Sequence, residues 1–189
     1  PLARIMASIK PLRHFLARAP VGMPLLILLA GVAILLALAR LFLGKPFSRW
    51  MTATTIAGVA LIVSLAFTEF VLKTVFGRLV PSVYLHSGGY GFHWLHTRKN
   101  FRSFPSAHAD QVAAVLSVFW VFYPRWRWLY ATAVLVLLFL LMVGEFHFLS
   151  DVIAGAYVGA LSGATTMSLW NAVAERRRKR TVAVSGVAR

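Results

Sequence analysis

The chain has 189 residues, of which 59% are hydrophobic and 13% are charged, and it carries a formal net charge of +15. Soluble domains contain about 45–50% apolar and about 25% charged residues, so this composition excludes an ordinary soluble domain. The sequence has no cysteine, which excludes a disulfide framework and a thiolate metal site. In a membrane protein a basic excess is typical of loops that face anionic lipid headgroups, so we expect membrane lipids and no nucleic acid as partners.

The hydrophobic pattern predicts an all-α fold, a polytopic transmembrane helical bundle, because a helix needs about 20 mostly apolar residues to cross a bilayer. Residues 1–22 are a basic N-terminal tail or a short interfacial helix. The bundle covers 23–172, and a basic cytoplasmic tail covers 173–189. The five predicted spans lie near 23–43, 51–72, 106–123, 128–146 and 151–172.

Small residues recur at every fourth position in the last span, at Gly155, Gly159 and Gly163. This spacing lets the backbones of two membrane helices approach each other closely. We expect these glycines to pack inside the bundle rather than to form a dimer contact.

Five spans put the polar 73–105 loop and the 147–151 turn on the same side of the membrane, because two spans separate them. The C-terminal tail then lies on the opposite side, and its basic run, ERRRKR from Glu175, is typical of a cytoplasmic segment. We therefore expect an integral protein of a bacterial inner membrane whose 73–105 loop faces the periplasm or the exterior.

Acidic residues are few, and most of them lie in or at the edge of predicted spans, where a charge is costly and indicates function. These acids are Glu69, Asp110, Glu145 and Asp151. Glu69 precedes Lys73 by four residues, which predicts a helical ion pair that also orients Lys73.

The segment FRSFPSAHAD, residues 101–110, is typical of a phosphate-binding helix start. Pro105 ends the loop, and Ser106 is a good N-cap for the third span. With the small residue Ala107 next, the first turn presents free N–H groups, which bind phosphate. His108 lies in the same turn, within reach of a bound phosphate. The alternative is a plain capping turn with one incidental histidine.

The segment GEFHFLSDVIAG, residues 144–155, places His147 and Asp151 four residues apart, on one face of a helical turn. A carboxylate on one imidazole nitrogen fixes the tautomer and makes the other nitrogen a better nucleophile or base. The alternative is a helix-capping aspartate beside a solvated histidine.

By the parity of the spans, both segments open onto the same face as Lys73 and Arg78. Two histidines, a carboxylate and a basic loop at a helix start make a coherent site for phosphoryl transfer. One histidine would attack phosphorus and the other would protonate the leaving oxygen, while cations and N–H groups stabilise the equatorial oxygens.

These segments also carry a family resemblance, through KTVFGRLVP (73–81), FPSAHA (104–109) and LLMVGEFHFLSD (140–151). In order and spacing they are similar to the Lys-x6-Arg-Pro, Pro-Ser-Gly-His and Ser-Arg-x5-His-x3-Asp motifs of the type 2 phosphatidic acid phosphatase superfamily of membrane lipid phosphatases. The resemblance covers roughly residues 65–165. It implies that His147 is the nucleophile and forms a phosphohistidine, that Asp151 is its partner, and that His108 is the acid for the leaving group. It also implies that Lys73 and the Ser106–His108 turn hold the phosphate, and that neither a metal nor another cofactor is needed.

The chain departs from these motifs in three places. Val80 stands where the first motif has arginine, Ala107 replaces the glycine of the second, and Leu140-Leu141 replaces the Ser-Arg of the third. Two phosphate-binding arginines are therefore missing, although bidentate arginine contacts are among the strongest that a phosphate receives. Substitutes would come from other basic residues of the first motif and the loop: Arg78, Arg98, Lys99 and Arg102.

Three functions are compatible with this sequence. The first is a lipid phosphatase whose substrate is a polyprenyl, glycerolipid or lipid A phosphate. The second is a lipid head-group phosphotransferase acting on a phosphodiester lipid, whose lower charge needs fewer cations and whose cationic head group would contact Glu145 and Asp110. The third is a catalytically degenerate lipid-binding protein.

Three loop histidines could suggest a metal site, but we interpret them as interfacial residues and expect no metal: His86, His93 and His96.

Overall fold

The structure is a computed structural model that describes residues 22–96 and 98–187. The N-terminal tail or interfacial helix predicted for residues 1–22 lies outside the described residues, apart from Gly22. Helices dominate, and within the described ranges the only strand-like pairing is an isolated antiparallel bridge between Arg78 and Phe92. The predicted all-α fold is confirmed.

Seven α-helices follow one another in the described part of the chain. They are α1 (Gly22–Phe42), α2 (Arg49–Ala66), α3 (Lys73–Phe76), α4 (Pro81–Ser87), α5 (Ala107–Phe122), α6 (Arg127–Val143) and α7 (Leu149–Val187). A π-helical segment, Phe67–Leu72, joins α2 to α3 without a break. Short 3₁₀ turns at Lys99–Phe101 and Pro124–Trp126 precede α5 and α6.

The bundle has the dimensions of a membrane protein. Four helices are long and apolar enough to cross a bilayer: Pro24–Phe42, Arg49–Phe76, Pro124–Val143 and Leu149–Lys179. The remaining predicted span, near 106–123, is α5, an apolar helix of 16 residues. These helices make the chain an integral membrane protein.

The last helix is longer than the sequence pattern predicts. We expected the span to end near residue 172 and a basic tail to follow, but α7 runs for 39 residues through Val187. The basic segment continues the helix because its residues are good helix formers and because Glu175 pairs with Lys179, four residues on, at 2.7 Å.

Helix α5 occupies the centre of the bundle. Ser106 caps its start by accepting a hydrogen bond from the Ala109 N–H, and a mostly small-residue face follows. This buried face packs on α2 and α7, and its apolar members are Ala107, Ala109, Ala113, Ala114 and Val118. Neighbouring helices cover this face along most of the length of α5.

The glycines of α7 bring its backbone against that of α5. A Cβ atom added to Gly155 would lie 2.3 Å from the carbonyl oxygen of Ser106, and one added to Gly159 would lie 2.0 Å from that of Asp110. A Cβ at Gly163 would lie 1.9 Å from Ser117 Oγ. The predicted packing of these glycines inside the bundle is confirmed.

We predict that Gly159→Ala destabilises the protein. The added methyl group would push directly against backbone, and overpacking of this kind typically costs about 1–3 kcal/mol, which outweighs the helix propensity gained. Thermal unfolding in detergent should therefore show a melting temperature several degrees lower.

Gly31→Ala in α1 is the matched control, because no heavy atom lies within 4 Å of its added Cβ. The control should be neutral, or stabilising by up to about 1 kcal/mol from helix propensity alone. Equal melting temperatures for the two variants would contradict the close approach of α5 and α7.

Candidate active site

Three segments meet at one end of the bundle: the 73–81 segment after the π-helix, the start of α5, and the turn that leads into α7. Two backbone hydrogen bonds fix this meeting. The Ser106 N–H donates to the carbonyl of Asp151 at 2.9 Å, and the Ser103 N–H donates to the carbonyl of Arg78 at 3.1 Å. The residues predicted to share one face are thus brought together.

His147 is half-buried in the turn before α7, and its hydrogen bond defines its tautomer. Nδ1 lies 2.9 Å from the carbonyl oxygen of Ser103. A carbonyl oxygen only accepts, so Nδ1 carries the proton and Nε2 keeps its lone pair. The Oδ2 atom of Asp151 lies 3.8 Å from Nδ1, which is beyond hydrogen-bond distance. His147 and Asp151 thus lie side by side as predicted, and Ser103 links them through hydrogen bonds to both.

His108 projects from the first turn of α5 and is exposed, although both of its chain neighbours are buried. Its ring centroid lies 6.3 Å from that of His147. Lys73 and Glu69 are near enough to interact electrostatically with the His108 ring. Two imidazoles therefore face a common space, with a basic side chain beside them.

Asp151 is fully buried, and its carboxylate accepts several hydrogen bonds. Oδ1 accepts from Arg78 at 2.5 Å, and Oδ2 accepts from Ser103 Oγ at 2.6 Å and from the Phe148 N–H at 3.0 Å. The last bond caps α7, because it reaches back to the residue before the helix begins. Asp151 thus joins the first motif, the loop before α5 and the start of α7.

Arg78, which we expected at the phosphate, is paired with Asp151. Its guanidinium is buried, and besides Asp151 it donates to Ser150 Oγ at 2.5 Å and to the Tyr90 hydroxyl at 3.0 Å. Aromatic rings surround the cation, the nearest being Phe148 at 4.4 Å from the ring centroid. These contacts hold Arg78 as the charge partner of Asp151.

Lys73 and Arg102 share one carboxylate, that of Glu69. The predicted Lys73–Glu69 ion pair is confirmed. Arg102 donates to the other carboxylate oxygen of Glu69 at 2.6 Å and to the Glu69 backbone carbonyl at 3.0 Å. Lys73 is buried, whereas Glu69 and Arg102 are about one third exposed. Two of the expected phosphate-binding cations are therefore held side by side.

The start of α5 offers donors to the same space. Ser106 and Ala107 are buried, and the Ser106 hydroxyl is directed to the Ala109 N–H. Helix geometry leaves the N–H groups of Ala107 and His108 without an intrahelical acceptor. An anion beside His108 would meet both the helix dipole and these groups.

The two acids expected at a cationic head group lie in different surroundings. Asp110 is fully buried and accepts a hydrogen bond from Ser64, in a polar layer with Thr68 and Gln111 between α2 and α5. The Asp110 carboxylate is therefore not exposed at the surface. Glu145 is half-buried in the turn before His147, with a left-handed φ of 56°.

Apolar side chains stand at the two positions where the family motifs have arginine. Val80 is half-buried just before α4, and Leu141 is buried in an apolar cluster with Ala109 and Val152. Leu141 thus packs the helices beneath the site instead of supplying a charge.

The segment that follows α4, as far as Phe104, covers the outer side of the site with aromatic side chains. Tyr90, Phe92 and Trp94 are exposed, as is typical of an aromatic belt at the membrane surface. The rings of His93 and His96 pack on Phe101, with centroids 4.9 and 4.6 Å away. In the described ranges, no three His, Asp or Glu side chains are grouped as a metal site.

Sequence reasoning missed Ser103 as a site residue. Its carbonyl orients His147 and its hydroxyl satisfies Asp151, yet a serine in a loop has no periodicity or motif position that marks it. The bond of Arg102 to Glu69 was also missed, because the two residues are far apart in sequence and only the fold brings them together.

Comparison with known proteins agrees with the motif resemblance. A profile of the PAP2 superfamily matches residues 53–175. A lipid A 1-phosphatase from Rhizobium johnstonii is 37% identical over 90 residues, which is 47% of this chain and 36% of that protein. The lipid A 1-phosphatase from Rhizobium etli is 36% identical over 89 residues, or 47% of this chain and 38% of that protein.

The matched part is thus well under half the length of both relatives. No solved structure matches the chain significantly. The profile match covers more than half of the chain and includes both histidines and Asp151. The chain therefore belongs to the PAP2 superfamily, the type 2 phosphatidic acid phosphatases.

Proposed function

We propose that the protein is a membrane lipid phosphatase that hydrolyses a phosphate monoester of a lipid through a phosphohistidine on His147. The observation that carries this proposal is the pairing of the two imidazoles. His147 has its Nδ1 proton engaged by the Ser103 carbonyl and its ring 6.3 Å from that of His108. Both rings are within reach of a single phosphoryl group bound between them.

In the first step, Nε2 of His147 attacks phosphorus and the bond from phosphorus to the lipid oxygen breaks. His108, in its protonated form, gives its proton to the departing oxygen, which leaves as the lipid alcohol. Lys73, Arg102 and the N–H groups at the start of α5 stabilise the charge on the equatorial oxygens. The Ser103 carbonyl stabilises the positive charge that develops on the imidazole of His147.

In the second step, water attacks the phosphohistidine and His108 takes its proton. The bond from phosphorus to Nε2 breaks, inorganic phosphate leaves and His147 regains its lone pair. Asp151 contacts neither phosphate nor water in this scheme. It acts through Ser103, whose hydroxyl it binds at 2.6 Å and whose carbonyl orients His147.

A lipid substrate is supported by the surroundings of the site. An apolar groove of about 510 Å³ lies between α2 and α7, from Val63 and Phe67 near the site to Leu169 and Trp170 near the far end of the bundle. Such a groove suits an acyl chain whose phosphate sits at the membrane surface. The names of the two Rhizobium relatives make lipid A phosphate the first substrate to test.

A lipid head-group phosphotransferase remains the second candidate, favoured by the absence of two motif arginines at Val80 and Leu141. A phosphodiester carries one negative charge fewer than a monoester dianion and requires less cationic stabilisation. In such a reaction a lipid alcohol would replace water as the acceptor of the phosphoryl group from His147.

We also propose that the site faces the periplasm of a bacterial inner membrane. Support comes from the charge distribution, since the basic helical extension after Glu175 lies at the opposite end of the bundle from the histidines. Arg40, Lys45 and Arg125 lie at that same end. Cytoplasmic segments of membrane proteins are enriched in such residues.

We predict that His147→Ala lowers the rate of phosphate release from lipid A and other lipid phosphates by about 10³-fold or more, because the nucleophile is removed. Phosphate release by purified protein in detergent is the measurement. His86→Ala is the matched control, since His86 is exposed on α4 and bonds the Ser82 carbonyl.

Three outcomes separate the candidate functions. Phosphate release that depends on His147 supports the phosphatase. Transfer of the phosphoryl group to an added lipid alcohol, without release of phosphate, would reject the phosphatase and support the transferase. Equal activity of wild type and His147→Ala on every substrate would overturn both.

We predict that Arg78→Ala lowers stability as well as turnover, because it leaves the buried Asp151 carboxylate without its charge partner. Breaking a buried pair in this way costs about 3–5 kcal/mol. Unfolding in detergent should show the loss, and combining Arg78→Met with Asp151→Asn should recover most of it but not the turnover. An increase in KM alone, with stability unchanged, would instead identify Arg78 as a phosphate ligand.

We predict that a cysteine at Ser87 reacts with a membrane-impermeant maleimide in spheroplasts, whereas one at Glu175 reacts only after permeabilisation. The introduced cysteine is the only one that the reagent can label in this protein, because the sequence has no cysteine of its own. Ser87 ends α4 beside the site, and Glu175 is exposed in the last third of α7. The reverse labelling pattern would place the site in the cytoplasm.

A further inference from the structure

Glu69 is an acid in a place where a phosphate site calls for positive charge. Its two carboxylate oxygens are divided between Lys73 and Arg102, and its backbone carbonyl also accepts from Arg102. Lys73 and Glu69 both interact electrostatically with the His108 ring. The carboxylate therefore takes up the same two cations that would bind the phosphoryl oxygens.

The position of Glu69 depends on an unusual backbone. Residues Phe67–Leu72 are π-helical, with the Lys73 N–H bonded to the carbonyl of Thr68 instead of that of Glu69. This leaves the Glu69 carbonyl for Arg102. Single π-helical turns inside α-helices are frequent at functional sites. The backbone and the side chain of Glu69 thus both serve to bring Arg102 next to Lys73.

We propose that Glu69 is a specificity-determining residue that acts as a built-in counter-anion, so that the site favours a singly charged phosphate over a dianion. This rests on the assignment of the site to phosphate chemistry. Lys73, Arg102 and Glu69 together carry one net positive charge, and the buried Asp110 carboxylate, which accepts from Ser64, also lies near enough to Lys73 and Glu69 to interact with them electrostatically. The other arginine at the site, Arg78, is already neutralised by Asp151.

The physical basis is repulsion between Glu69 and the bound phosphate. Because both bind Lys73 and Arg102, they lie a few ångströms apart, where like charges interact strongly in a partly buried site. A second negative charge on the phosphate roughly doubles that repulsion. The partial exposure of Glu69 screens the effect, so a moderate discrimination follows rather than complete exclusion.

The test is the binding of inorganic phosphate to purified protein, measured by calorimetry in detergent at about pH 5 and about pH 8, on either side of the second phosphate ionisation. Glu69→Gln keeps the size and hydrogen-bonding groups of the side chain but removes its charge. We expect it to bind phosphate about tenfold more tightly at the higher pH and to gain much less at the lower pH.

Glu175→Gln is the matched control, because it makes the same chemical change at an exposed ion pair in the last third of α7, away from the site. Its phosphate affinity should equal that of wild type at both pH values. Glu69→Asp keeps the charge on a shorter side chain, and it should restore most of the wild-type discrimination between the two pH values.

Unchanged or weaker phosphate binding by a folded Glu69→Gln protein would overturn the proposal and leave Glu69 a structural residue. If Glu69→Gln fails to fold, Glu69→Asn provides the second test, because it removes the same charge on a shorter side chain. Phosphate affinity should again rise, most at the higher pH, and an unchanged affinity would equally overturn the proposal.

Failure of the proposed function would look different from failure of this inference. Phosphate binding needs no turnover, so tighter binding by Glu69→Gln without lipid hydrolysis by wild type would reject the phosphatase and keep the role of Glu69. If wild type hydrolyses lipid phosphates but wild type and Glu69→Gln bind inorganic phosphate equally well, the phosphatase function stands and the role of Glu69 is rejected.

Discussion

A carboxylate buried within a membrane bundle must find its charge partner and hydrogen bonds inside the protein, and Asp151 imposes this constraint on the whole site. Removing a charged group from water costs several kcal/mol unless partners replace the water. Arg78, Ser103 and the Phe148 N–H supply those partners, and the Asp151 carbonyl accepts from Ser106. Arg78 belongs to the first motif, Ser103 to the loop before α5, and the Phe148 N–H to the start of α7. The hydrogen bonds of one carboxylate therefore align all three motifs.

The position of His147 follows from this arrangement. Because the Asp151 carboxylate is occupied by other donors, the Nδ1 proton of His147 goes to the Ser103 carbonyl. Aromatic rings, with Phe148 the nearest, pack around Arg78 and keep water from the ion pair. In such surroundings the Arg78–Asp151 pair resists exchange with solvent, and the Ser103 loop is fixed relative to α7. The aspartate therefore orients the histidine through the backbone of a neighbouring loop.

Sequence periodicity predicted the architecture well, because apolar runs of about 20 residues have few alternatives in a bilayer. The glycine spacing in α7 predicted its close contact with α5, and the local pair Lys73–Glu69 followed from helix geometry. The partners of Arg78 and Arg102 could not be predicted, since they depend on contacts between residues far apart in sequence. The burial of Asp110 was missed for the same reason: its neighbour Ser64 lies on another helix.

The loss of two motif arginines and the presence of Glu69 have a common electrostatic consequence. Each of these features lowers the net positive charge of the proposed phosphate site, and Leu141 also joins an apolar cluster beneath it. The remaining cations are held in place by carboxylates, which orders Lys73 and Arg102 without substrate. In the proposed phosphoryl transfer, a preorganised site of low net charge would stabilise the developing charge, because its donors need not rearrange. Under the same proposal it would hold the inorganic phosphate product, a dianion above its second ionisation, less tightly than a strongly cationic site would, which favours release of the product.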